Sequence, residues 1–149
     1  MKLLAGIALF CLCALTGEGR ARRLQRREKT LMQLYELIRA IGDRQQSAFV
    51  SFRDGAMLCP PSPEREALLR LSRGEEDRLP LLTAEERGSL ARYARSDSRS
   101  VTALRAEREA LLAMLQQDRD RTREELKTKG QVYRSVGYLS GMAALLLVL

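Results

Sequence analysis

Apolar and polar positions divide the chain into three zones. Residues 3–16 (LLAGIALFCLCALT) and 136–149 (VGYLSGMAALLLVL) carry no charge, and between them apolar residues recur at helical intervals in a heavily charged background. From Leu24 onward they come at Leu31, Leu34, Ile38, Ile41 and Ala48, a heptad-like spacing that predicts one long helix from the N-terminal run to about Phe52. Arg53-Asp54-Gly55 and Cys59-Pro60-Pro61-Ser62-Pro63 predict the break that follows, since consecutive prolines remove backbone donors and push the preceding residue out of the α region. Ser62 as N-cap with Pro63 at the first helical position predicts a short helix over 64–72, ended near Gly74. Leu79-Pro80 marks a further loop, and Thr83-Ala84-Glu85-Glu86 reads as a capping box opening a helix to about Arg95. Asp97 is the expected N-cap of the last long helix, which turns Val101, Leu104, Leu111, Leu112, Leu115 and Leu126 toward a core before Gly130 loosens it.

Two long helices with apolar seams are expected to pack against each other, with the short helices closing a third side. The fold class is therefore all-α: an antiparallel helical bundle flanked by N- and C-terminal membrane helices, divided as 1–19, 20–130 and 131–149. Composition agrees, being rich in Leu, Arg, Ala and Glu with four Pro, no Trp and few aromatic or β-branched residues. With 149 residues, less the two apolar ends, only one modest core can form.

The N-terminal run reads either as a signal peptide or as an anchor. Ala14 with Thr16, or Gly17 with Gly19, meets the small-residue requirement of a cleavage site only weakly, and Phe10 and Leu12 stand before Cys11 and Cys13 where a lipoprotein site needs a small residue. Charge placement favours the anchor. Lys2 alone precedes the run, whereas Arg20, Arg22, Arg23, Arg26, Arg27 and Lys29 follow it closely, which keeps the downstream side in the cytoplasm. Lys127, Lys129 and Arg134 flank the other run in the same sense. Fourteen helical residues extend ~21 Å against a hydrocarbon core of ~30 Å, so a buried core helix is the competing reading of the C-terminal run. Its apolar character on every face and the step Gly137-x-x-x-Gly141, extended by Ala144, favour a membrane helix whose small-residue stripe packs on the N-terminal segment near Ala5 and Gly6.

A net charge of +7, from 26 basic and 19 acidic residues, fits nucleic acid, an anionic membrane surface, or topology alone. The basic cluster beside the first run, without interleaved aromatics or a binding motif, favours membrane lipid over nucleic acid. The absence of His removes the usual nucleophilic triads and the common zinc sets, and there is no P-loop, GxGxxG or EF-hand loop. Glu75-Glu76, Glu85-Glu86 and Glu124-Glu125 read as solvated helix faces, and the three cysteines form neither a CxxC pair nor a disulfide framework. Residues 119–129 alternate in sign so that Asp120 with Arg123 and Glu125 with Lys129 pair along the helix. The chain is expected to be no enzyme, with no cofactor, metal or small-molecule substrate.

The order of short anchor, Arg-rich exit, leucine heptads and helical middle resembles the stage III sporulation protein AB family. Its most specific elements are Lys2-Leu3-Leu4-Ala5-Gly6 and the ending Tyr133-Arg134-Ser135-Val136-Gly137-Tyr138-Leu139-Ser140-Gly141 before an aliphatic tail. Leu31, Leu34, Leu37 and Ile41 match the family's leucine-rich first helix, and residues 82–97 its third-helix region, whereas residues 42–47 depart from it. The resemblance implies a helical domain like that of type II secretion inner-membrane platform proteins. It further implies a place in the mother-cell membrane around the forespore, with other sporulation channel subunits and a cognate secretion-type ATPase as partners. The rival readings are an exported or surface-anchored helical protein with a cleaved signal peptide, and a small basic nucleic-acid binder.

Overall fold

The computed structural model describes residues 2–48, 50–75, 81–96 and 100–148, and helix is the one regular secondary structure among them. The chain is all-α. Five helices follow in order: α1 (Lys2–Ala48), α2 (Phe52–Met57), α3 (Pro63–Ser72), α4 (Ala84–Arg95) and α5 (Val101–Val148). Contacts divide the molecule into two compact units, Lys29–Arg119 and Met1–Glu28 with Asp120–Leu149.

In the Lys29–Arg119 unit the heptad positions of α1 do what their spacing demands. Leu31, Leu34, Ile38 and Ile41 are wholly shielded from solvent, and they share one apolar cluster with Phe52 and Ala56 of α2, Leu68 and Leu71 of α3, Leu90 and Tyr93 of α4, and Leu111 and Leu115 of α5. Burying an aliphatic side chain of this size is worth about 1.5–3 kcal/mol, so this cluster is the main source of stability in the unit. Leu104 and Leu112 pack on it while half-buried; Ala48 and Val101, at the ends of their helices, are exposed.

α1 stops at Ala48, short of the expected Phe52, and Arg53-Asp54-Gly55 lies inside α2 rather than in a break. Ser51 is the reason: its hydroxyl accepts from the Asp54 amide at 3.2 Å and donates to the Asp54 carboxylate at 2.6 Å, so it caps a new helix. Gly55 is buried there. A Cβ at that position would lie 3.4 Å from Ile41 Cγ2 and 3.5 Å from the Ile41 carbonyl oxygen, ordinary contact distances, so α2 packs on α1 without the position demanding glycine.

The Pro60-Pro61 corner forms as its sequence requires, pinned by the Arg65 guanidinium donating to the Cys59 carbonyl at 2.7 Å. Ser62 caps α3 by accepting from the Arg65 amide at 3.1 Å, with Pro63 at the first helical position. α3 closes on Gly74, whose φ of 82° is left-handed, while the Glu75 and Gly74 amides donate to the Arg70 and Leu71 carbonyls. Thr83 and Glu86 form the full capping box of α4, the Thr83 amide donating to the Glu86 carboxylate at 2.6 Å. Arg95 then reaches back to the Leu71 carbonyl at 3.0 Å, tying the end of α4 to the end of α3. The expected loop at Leu79-Pro80 and the cap at Asp97 lie outside the described residues; α5 begins at Val101, with the Ser100 hydroxyl 3.5 Å from the Ala103 amide. Gly130 does not loosen α5, which runs unbroken through it, and Gly130 is buried.

Candidate functional site: an inside-out helical pair with a basic collar

In the unit of Met1–Glu28 with Asp120–Leu149 the usual distribution of side chains is reversed. Gly6, Gly17, Ala21, Gly130, Gly137 and Gly141 are buried, while Leu4, Leu12, Leu15, Leu139, Leu146 and Leu147 stand 64 to 88% exposed. A water-soluble unit gains stability by hiding its leucines and leaving small residues wherever they fall. The opposite arrangement is stable where the surroundings are as apolar as leucine itself and association comes from close backbone packing. Among the described residues α1 is the one helix long and apolar enough to cross a membrane, and its apolar stretch lies near its N-terminus.

The two helical stretches meet backbone to backbone. A Cβ added to Gly137 would lie 2.9 Å from the Cys13 carbonyl oxygen and 3.2 Å from Gly17 Cα; one added to Gly17 would run into the Tyr133 carbonyl oxygen. Farther along, a Cβ on Gly141 would stand 2.8 Å from the Phe10 ring and 3.1 Å from its carbonyl oxygen, and Phe10 also meets the Tyr138 ring at 6.5 Å. Falling numbers on one stretch match rising numbers on the other, Glu28 with Arg123, Gly17 with Gly137 and Phe10 with Gly141, so within this unit the two run in opposite directions. The seam thus joins Gly137 and Gly141 to Gly17, Cys13 and Phe10; farther along, Gly6 is buried and Ala144 half-buried.

That register brings the charge boundaries of the two stretches to one level. Glu18 and Arg20 open the charged part of α1 just past Gly17, and Arg134 closes the charged part of α5 beside Tyr133. The Arg20 guanidinium lies 5.9 Å over the Tyr133 ring at this level. Between residues 18–28 and 120–134 there are ten basic and five acidic side chains, a collar on one side of the boundary only. Arg20, Arg22, Arg23, Arg26 and Lys29 are exposed and Arg27 is half-buried; Arg22 pairs with Glu18 at 2.8 Å. Lys129 pairs with Glu125 at 3.4 Å as its spacing indicates, whereas Arg123 turns to Glu28 at 4.0 Å.

Sequence spacing singled out the glycines and the arginines, but not Gly17, whose role depends on a register that no local pattern encodes. Compared with protein-family models, curated proteins and solved structures, the chain finds no match in any of the three.

Proposed function

We propose that the chain is a membrane-anchored, non-enzymatic platform subunit: its apolar ends enter the bilayer as a pair, and the helical domain of residues 20–130 forms an antiparallel bundle on the cytoplasmic side. The observation that carries this reading is the inside-out pair, with small residues within, large aliphatic ones outside, and both charge boundaries at one height. Such a surface is costly in water and neutral in lipid, and a collar of Arg and Lys at its edge suits anionic headgroups and retention on the inner side. Function, on this reading, consists of holding partners in place. The likeness of the two ends to the stage III sporulation protein AB family extends the proposal to a part in the channel between mother cell and forespore, beside other channel subunits and a secretion-type ATPase.

The rival, an exported helical protein with a cleaved signal peptide, has the weak site between Ala14 and Gly19 in its favour. Against it, cleavage there removes Phe10 and Cys13 from the seam and strips Gly137 and Gly141 of their partners. A topology map with reporter fusions at both ends and at Pro60-Pro61 tests the choice. The proposal expects the corner inside and both ends outside. A corner reporter active outside the cell, or a mature chain beginning near Glu18 or Arg20, overturns it.

A further inference from the structure

A cavity of about 510 Å³ opens in the Lys29–Arg119 unit, between the end of α1, the end of α4 and the first two turns of α5. Its polar lining comes from Gln45, Gln46, Tyr93, Thr102, Arg105 and Arg108, and among the described residues that line it there is no carboxylate. Arg108 is the unusual member. Its side chain is only 12% exposed and its Nε is buried with no hydrogen-bond partner, and the nearest carboxylate, Asp43, is 4.0 Å away and itself 67% exposed. A largely desolvated guanidinium facing so little compensating charge is costly unless something else completes it.

The surroundings hold Arg108 in place. Gly42 provides its berth, since a Cβ there would collide with the Arg108 Nη1 and Cδ atoms. The Tyr93 hydroxyl donates to Gln45 Oε1 at 3.1 Å, and burial raises its pKa to about 12, so the wall remains neutral rather than adding an anion of its own. Arg105, held at 2.9 Å by Glu109, supplies a second guanidinium at the mouth. The first turn of α5, at Val101 and Thr102, brings the positive end of a 48-residue helix to the same space. Val50, Val101 and Leu104 give the remaining wall an apolar character.

We propose that this cavity is a binding site for the phosphate group of a small molecule, with Arg108 and Arg105 as its charged donors and the apolar wall receiving the ligand's body. Two fork-shaped donors beside a helix N-terminus match a tetrahedral oxyanion, and the volume is that of a small-molecule pocket. The site lies wholly within the soluble unit, so it stands whether or not the ends enter a membrane.

Binding of inorganic phosphate and pyrophosphate to the full chain in detergent micelles, measured calorimetrically at constant ionic strength with chloride and succinate as comparison anions, tests the assignment. Saturable phosphate or pyrophosphate binding is expected, weakened by ~10-fold or more in R108Q. G42A keeps both arginines yet displaces Arg108, and the same loss is expected. The control R121Q, whose residue lies outside the unit, is expected to bind as the parent does. Succinate binding in place of phosphate, or an affinity in R108Q and G42A equal to the parent's, overturns the proposal. Should neither variant fold by circular dichroism, R105Q decides: its side chain is exposed, several-fold weaker binding is expected, and unchanged affinity overturns the assignment.

Discussion

Adding a single methyl group at Gly137 tests the inside-out seam most directly. In Gly137→Ala the new Cβ meets the Cys13 carbonyl oxygen at 2.9 Å and Gly17 Cα at 3.2 Å, both backbone atoms that cannot swing aside. Restoring ordinary contact separates the two stretches by about half an ångström, which forfeits a quarter to a half of the dispersion energy across the seam, ~1 kcal/mol if ~20 atom pairs face each other. Crowding strain adds about 1–3 kcal/mol, and the better helix propensity of Ala returns about 1 kcal/mol. The net is a loss of roughly 2 kcal/mol, near 30-fold in the equilibrium between paired and separated stretches. Gly19 supplies the internal control: a Cβ there meets nothing within 4 Å, so Gly19→Ala carries only the propensity gain of about 1 kcal/mol. The assay is an SDS titration of the full chain in mild detergent, read by energy transfer between dyes at the two ends. If Gly137→Ala resists SDS as well as Gly19→Ala, the backbone contact described here does not exist.

Three further outcomes are expected. Thr83→Ala removes the hydroxyl half of the α4 capping box and is expected to cost about 1 kcal/mol, seen as a lower midpoint in thermal melts followed by circular dichroism. Leu115→Ala empties a fully buried position and is expected to cost about 3–5 kcal/mol in urea unfolding, whereas the same change at exposed Leu139 is expected to leave the transition of the Lys29–Arg119 unit unmoved. Tyr93 releases its phenolic proton at 10.0 when unfolded and at about 12 when folded, so stability falls as pH rises through that window. The full effect is roughly 3 kcal/mol, and a Tyr93→Phe variant whose unfolding free energy shows the same alkaline slope as the parent would contradict it.

Local chemistry was legible in the sequence where it is self-contained. The heptad residues Leu31 to Ile41, the Ser62-Pro63 start of α3 and the Thr83-Glu86 box each depend on neighbours within a turn or two, and the structure realises them. The break after α1 was misplaced because Gly55 was read as a helix breaker. Gly55 instead sits inside α2 at ordinary contact distance from Ile41, and the true signal is Ser51 three residues before Asp54. Gly130 likewise interrupts nothing: α5 carries it as a buried helical residue, and a Cβ there would meet only the Leu126 side chain of the same helix. The seam partners Gly17 and Phe10, and the meeting of Arg108 with Gly42, were beyond sequence reasoning. They lie more than 60 residues apart along the chain, and only the assembled register of two long helices brings them together.

The reversed packing also changes which substitutions the terminal unit withstands. At Gly17 and Gly137 no side chain fits without moving backbone, and at Gly141 none fits without displacing the Phe10 ring, so these three positions are fixed by geometry. Leu12, Leu139 and Leu147 point outward, and aliphatic residues are interchangeable there. Drift in this unit is therefore expected to spare hydrogen-sized side chains and shuffle the bulky ones, the inverse of what a water-soluble core permits.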